Sequence, residues 1–119
     1  MNSLNSDDDL PPIVQRRQAS RRRMLFPGKI VHRNGAQSFG CTIRDISTSG
    51  ARISVSQGEV VPKHAYLIDI RNGVAHEVVV IWIQPPNFGL KFLTTYQLSD
   101  LTNQDLQFLK DIWVQLGVR

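Results

Sequence analysis

The sequence predicts a mainly β fold, with six short strands in a small antiparallel barrel or sandwich followed by one C-terminal helix. Three observations predict it. From Pro27 onward, short apolar stretches alternate with turn signals at the spacing of a small all-β domain. The dipeptide Asn-Gly occurs twice, at Asn34-Gly35 and Asn72-Gly73, supplying the positive backbone angles of a tight hairpin turn. Helical periodicity is confined to the end of the chain. A length of 119 residues, 41% of them hydrophobic and 20% charged, suits one core and leaves too little chain for two.

Residues 1–15 carry Asn, Ser, Asp7-Asp8-Asp9 and Pro11-Pro12 with few apolar groups, and are expected to form a flexible tail. The first strand is read at Lys29-Ile30-Val31-His32-Arg33. Cys41-Thr42-Ile43-Arg44-Asp45-Ile46 is the second; strict alternation puts Cys41, Ile43 and Asp45 on one face and Thr42, Arg44 and Ile46 on the other. A break at 47–50 precedes a third strand, Ala51–Val55. Tyr66–Ile70 and the β-branched run Val78–Ile83 flank the second Asn-Gly, and Phe88–Leu93 is the last strand. Leu106, Leu109, Ile112, Trp113 and Leu116 then recur at helical spacing, with Thr102 as the expected N-cap and Asp105 as a first-turn acid. The barrel region is thus expected over residues 16–98 and a helix, covering one mouth of the barrel or its wall, over 99–119.

No apolar run approaches the roughly 20 residues that span a bilayer, and Met1–Leu10 is polar and acidic where a signal peptide is basic and then apolar, so a cytoplasmic location without membrane insertion is expected. A single cysteine, Cys41, agrees with a reducing compartment and reads as a small buried group. His32, His64 and His76 are far apart, lack partners at metal-ligand spacing, and read as ordinary surface or edge residues. No phosphate loop of the Gly-rich, Lys-Ser/Thr type is present. No metal or cofactor is expected, and an enzymatic reading has no residues to rest on.

The net charge of +4 is unevenly placed, with Arg16, Arg17, Arg21, Arg22 and Arg23 in one short stretch. Arginine suits phosphate and the guanine edge because its planar fork donates two parallel hydrogen bonds. Two patterns stand out: Arg17-Gln18-Ala19-Ser20-Arg21, of form RxxxR, and Asp45-Ile46-Ser47-Thr48-Ser49-Gly50, of form DxSxxG. Separately, the first is common in any arginine-rich stretch and the second reads as a strand end with a Ser/Gly turn.

Taken in order, RxxxR, DxSxxG, Gly50-Ala51-Arg52-Ile53 and Ile81-Trp82-Ile83 followed by Phe88-Gly89-Leu90-Lys91-Phe92 resemble the PilZ domain family of cyclic di-GMP receptors, over roughly Arg16 to Phe92. The resemblance implies a six-stranded antiparallel barrel with an N-terminal arm and a C-terminal helix. It also implies a ligand, cyclic di-GMP, held by Arg17 and Arg21 from the arm and by Asp45, Ser47 and Gly50 from the barrel. An arginine directly before RxxxR, here Arg16, goes in that family with an intercalated dimer of the ligand. Arg22 is a secondary candidate; so is Trp82, which is assigned to the core more readily than to a guanine-facing surface.

The ligand's chemistry fits these residue types. Cyclic di-GMP offers two phosphates and two guanine O6/N7 edges to arginine forks, and its N1 and N2 donors need an acceptor such as Asp45. With the second strand extended through Ser47, Asp45 and Ser47 share a face, and Gly50 supplies a positive angle or room for the ligand. The expected mechanism is an arm that orders on binding and signals to an unidentified downstream protein in motility, surface attachment or polysaccharide production. The rival reading is a small basic nucleic-acid-binding barrel, against which stands the lack of an aromatic stacking row: Phe39, Tyr66, Trp82 and Phe88 are scattered. DNA or RNA partners are not expected.

Overall fold

The computed structural model describes residues 22–117, the first three as backbone. The tail at residues 1–15 and the candidates Arg16, Arg17 and Arg21 lie outside the described residues. Six strands, β1 (Arg22–His32), β2 (Ser38–Ile46), β3 (Gly50–Ser54), β4 (His64–Asp69), β5 (Val74–Gln84) and β6 (Asn87–Gln97), close into one antiparallel barrel in the order β1-β2-β3-β6-β5-β4. Two 3-10 turns, Leu98–Asp100 and Gln104–Leu106, lead into α1 (Gln107–Gln115).

The two faces of the sheet carry different loads. Inside, Ile30, Ile43, Ile53, Leu67, Val78 and Leu90 fill the lumen with apolar side chains, as a barrel of this size requires. Outside, Val31, Tyr66, Ile68 and Ala75 form a second apolar surface covered by Leu98, Leu106 and Leu109. β4 is therefore buried on both faces, which explains why Ala65-Tyr66-Leu67-Ile68 is a continuous apolar run rather than an alternating one.

The helix lies on the barrel wall. Its rings rest on the two Asn-Gly turns: Phe108 faces Gly35 (φ 75) and Trp113 faces Gly73 (φ 66). A Cβ on Gly73 would come within 2.7 Å of the Trp113 ring, so this glycine serves the turn and the helix packing together. Trp113 Nε1–H donates to the Ile70 carbonyl at 3.0 Å, and Phe108 meets Tyr66 edge-on at 5.9 Å.

Several expectations need correction. The α-helix occupies only Gln107–Gln115 of the 99–119 region. Asn103, not Thr102, caps the turn ahead of it, its Oδ1 accepting from Asp105 N–H at 2.9 Å. His76 is buried rather than superficial: its ring stacks on Phe92 at 3.8 Å and its Nδ1 bonds the Thr95 hydroxyl at 2.9 Å. Burial lowers its pKa to about 4, with Asp69 pulling the other way. Cys41 is half-buried, and desolvation pushes its thiol up to about 12, so it carries little thiolate. No helix among the described residues is long and apolar enough to cross a membrane.

Candidate ligand-binding site

The DxSxxG segment forms the β2–β3 hairpin. β2 ends at Ile46, so the strand does not stay extended through Ser47. Ser47 N–H donates to the Gly50 carbonyl at 2.8 Å, closing a loop of only Thr48 and Ser49. The Ser47 hydroxyl stabilises that turn: it accepts from Ser49 N–H, donates to the Gly50 carbonyl and meets the Ser49 hydroxyl, each at 3.3 Å. Gly50 is not among the positive-φ glycines. What excludes a side chain there is the neighbouring strand, because a Cβ on Gly50 would strike the Leu90 carbonyl oxygen of β6.

Asp45 points out of the barrel, contrary to the alternation expected for β2. Opposite β3, the register passes from Ile43↔Ile53 to Asp45↔Arg52, leaving Arg44 as the extra residue of a β-bulge. Ile43 and Ile46 both reach the core as a result, and Asp45 is turned to the outer face. There it is 5% exposed and accepts from Arg52 Nε–H at 2.8 Å. Arg52 sits outside because its neighbours Ala51 and Ile53 both face the core.

Trp82 is re-aimed in the same way. Between Val80↔Leu90 and Trp82↔Gly89 the pairing skips Ile81, a second bulge, and the indole lies on the outer surface, 39% exposed, instead of in the core. It covers Gly89, whose neighbours Phe88 and Leu90 point inward. The pairings Asp45↔Arg52, Arg52↔Gly89 and Gly89↔Trp82 make one cross-strand row over β2, β3, β6 and β5. At its other end Arg23↔Asp45 extends the row to β1.

The basic stretch meets the barrel at this row. Arg22, the secondary candidate, and Arg23, the last arginine of the stretch, belong to β1, paired with Ile46 and Asp45. Through Arg22, whose partner Ile46 ends β2, the chain reaches the β2–β3 hairpin; Arg16, Arg17 and Arg21 lie outside the described residues. The row thus unites Asp45 with Trp82, while Ser47 and Gly50 lie in the adjoining β2–β3 turn. Sequence reasoning missed Arg52 and Gly89. A signal was available for Arg52, since a two-residue loop at Thr48-Ser49 fixes Asp45 opposite Arg52. One concavity lies between the β3–β4 loop and the β5–β6 turn, lined by Val55, Gln57, Glu59 and Pro86, and another borders the row at Trp82, with Lys63 and Ile83; among the described residues no arginine lines either.

A closed antiparallel barrel with a helix on one wall and the row of Asp45, Arg52, Gly89 and Trp82 on another defines a small β-barrel domain. The chain belongs to the PilZ domain family, whose model matches residues 15–109. This is a receptor and effector domain rather than a catalytic one. No curated protein sequence matches the chain. Among solved structures, it is similar to the PilZ domain of CeSA from a cellulose-synthesising bacterium, with 14% identity and a TM-score of 0.52 over 83% of this chain and 99% of that one. It is also similar to the Bacillus subtilis inhibitor of motility (MotI/DgrA), with 20% identity and a TM-score of 0.51, covering 89% of this chain and 54% of that one.

Proposed function

We propose that this protein binds cyclic di-GMP on the outer wall of its barrel and relays that binding to a downstream protein. The observation that carries the reading is the Asp45–Arg52–Gly89–Trp82 row, adjoining the strand that the RxxxR arginines feed, in a chain of the PilZ family. Arg17 and Arg21 clamp phosphate and guanine; Arg16 engages a second, intercalated ligand molecule, and Arg22 reinforces the cationic end. Asp45 accepts from the guanine N1 and N2 donors. Arg52 positions that acceptor, because its Nε–H fixes one carboxylate oxygen and leaves the orientation of the other defined. Ser47 and Gly50 shape the turn beneath the ligand, and Trp82 offers the outer face of its indole to a guanine.

The tether at Arg22 keeps the arm's arginines at high local concentration over the wall, so the ligand closes an intramolecular clamp. The order gained by the arm is the signal read by the effector. We place the controlled process in motility, surface attachment or polysaccharide production. No metal or further cofactor takes part, and the site acts in the cytoplasm.

Titration calorimetry tests the assignment. Arg17→Ala, Arg21→Ala and Asp45→Ala should each weaken cyclic di-GMP binding at least tenfold, about 1.4 kcal/mol; unaltered affinity in all three removes the site. Amide hydrogen exchange at residues 16–21 should slow on ligand addition, and unchanged exchange removes the ordering step.

A further inference from the structure

Gly89 holds a feature that backbone needs alone do not explain. It is buried, is the third residue of β6 with strand pairing on both sides and is not a positive-φ glycine, so neither a turn nor a left-handed conformation demands it. Glycine in a strand interior costs stability relative to a residue with a side chain to pack. What occupies the space of its missing side chain is the Trp82 indole. A Cβ built on Gly89 would fall inside the ring's van der Waals envelope, against Nε1, Cε2 and Cδ1 alike. A ring standing on its edge would bring Nε1 much closer than the two carbons. Near-equal approach to three contiguous atoms means that the ring lies face down on the strand.

The consequences follow from the register. Gly89 is paired with Arg52 on one side and Trp82 on the other, so the flattened indole extends from β5 over β6 toward Arg52 and Asp45. One face of the ring rests on β6 and the other is turned to solvent, in keeping with a tryptophan that is 39% exposed although it is packed down. Any residue with a Cβ at position 89 would lift or swing the ring and break the continuity of the row.

We propose that Gly89 is a positioning residue of the ligand site, its absent side chain laying the Trp82 indole flat as a preset stacking platform for a guanine. This rests on the reading that the row binds cyclic di-GMP and adds the device that fixes the plane of its aromatic floor. A purely structural alternative has the indole shielding a glycine that the sheet requires for its own reasons. The two differ in one respect: a positioning role exists only while Trp82 is present.

The test is a double-mutant cycle of wild type, Gly89→Ala, Trp82→Ala and the pair, each titrated with cyclic di-GMP. Two-dimensional NMR of the ligand-free chain follows the indole N–H signals of Trp82 and Trp113. Gly89→Ala should shift the Trp82 indole signal, leave that of Trp113 in place and weaken binding roughly 5- to 100-fold, the range of one lost base–aromatic stack. In the Trp82→Ala background the same change should alter affinity by less than about twofold. Equal loss in both backgrounds, or unchanged affinity in Gly89→Ala, overturns the positioning role. An unmoved Trp82 signal overturns the seat itself. If Gly89→Ala alone fails to fold, the double variant should fold and bind like Trp82→Ala; a double variant that also fails to fold refutes the proposal. A wild-type chain that takes up no cyclic di-GMP, alongside a shifted indole signal, refutes the guanine assignment and the reading beneath it but leaves the seat standing.

Discussion

Replacing Arg52 by Met isolates the polar part of the proposed wall, because methionine keeps most of the aliphatic stem and deletes the guanidinium. The bond removed is Nε–H to Asp45 Oδ2 at 2.8 Å, with Asp45 7% and Arg52 28% exposed as side chains. Charge-assisted hydrogen bonds contribute about 1.5–3 kcal/mol net. Arg52 keeps some contact with water and Asp45 has a further interaction, so the lower end applies. Arg52→Met should therefore destabilise the fold by about 1.5 kcal/mol in urea unfolding at pH 7. A loosened Asp45 should also weaken cyclic di-GMP binding by about tenfold, although Arg52 is given no direct ligand contact. Asp45→Ala with Arg52→Met should be less damaging than the sum of the single changes, with a coupling of about 1 kcal/mol. A stability change below about 0.5 kcal/mol together with unchanged affinity would refute the positioning role of Arg52.

Three further outcomes concern the scaffold. His76 has a folded pKa of about 4 against an ordinary value of 6.5, so the unfolded chain binds the extra proton between those values. Stability is complete above pH 6.5 and is lost as pH falls toward 4, by about 2 kcal/mol at pH 5; urea unfolding should show this slope, and His76→Gln should lose it. Gly50→Ala forces a methyl against the Leu90 carbonyl oxygen, backbone that cannot swing aside, and should cost about 2 kcal/mol or more in thermal unfolding; an unchanged melting temperature contradicts the close approach of β3 and β6. Leu109→Ala removes the fully buried centre of the helix–wall contact and should cost about 2–5 kcal/mol, read in the same way, and a loss under 1 kcal/mol contradicts that packing.

The architecture was legible where the chain follows simple periods. The two Asn-Gly turns, the six apolar stretches and the helical spacing at the end each correspond to an observed element. Alternation failed at two positions of the proposed wall. Strict period two buries Asp45 beside Ile43 and Trp82 beside Val80; the bulges at Arg44 and Ile81 turn both outward. Bulges leave little trace in a single sequence, because they depend on how the partner strand pairs. The fit of Gly89 beneath Trp82 was illegible for a similar reason, being a contact between residues that only the closed register makes neighbours. The cap went to Asn103 over Thr102 because the chain turns first in a 3-10 segment that helical periodicity does not register.

The bulges give the outer row a physical reading. Each breaks the inside–outside rhythm once, costs local pairing, and delivers one side chain to the surface without exposing the core on either side of it. Bulges re-aim side chains beside functional sites, and here two of them converge on a single row between Arg23 and Trp82.

The central claim is that the wall takes cyclic di-GMP and not a nucleic-acid strand. The most direct measurement is a titration of the wild-type chain with labelled cyclic di-GMP at 50 and 200 mM salt, followed by challenge with unlabelled ligand or with a single-stranded oligonucleotide. Saturable binding displaced by micromolar cyclic di-GMP but not by the oligonucleotide is the predicted result. Failure to saturate, or displacement by the oligonucleotide with affinity that collapses between the two salt concentrations, would contradict it.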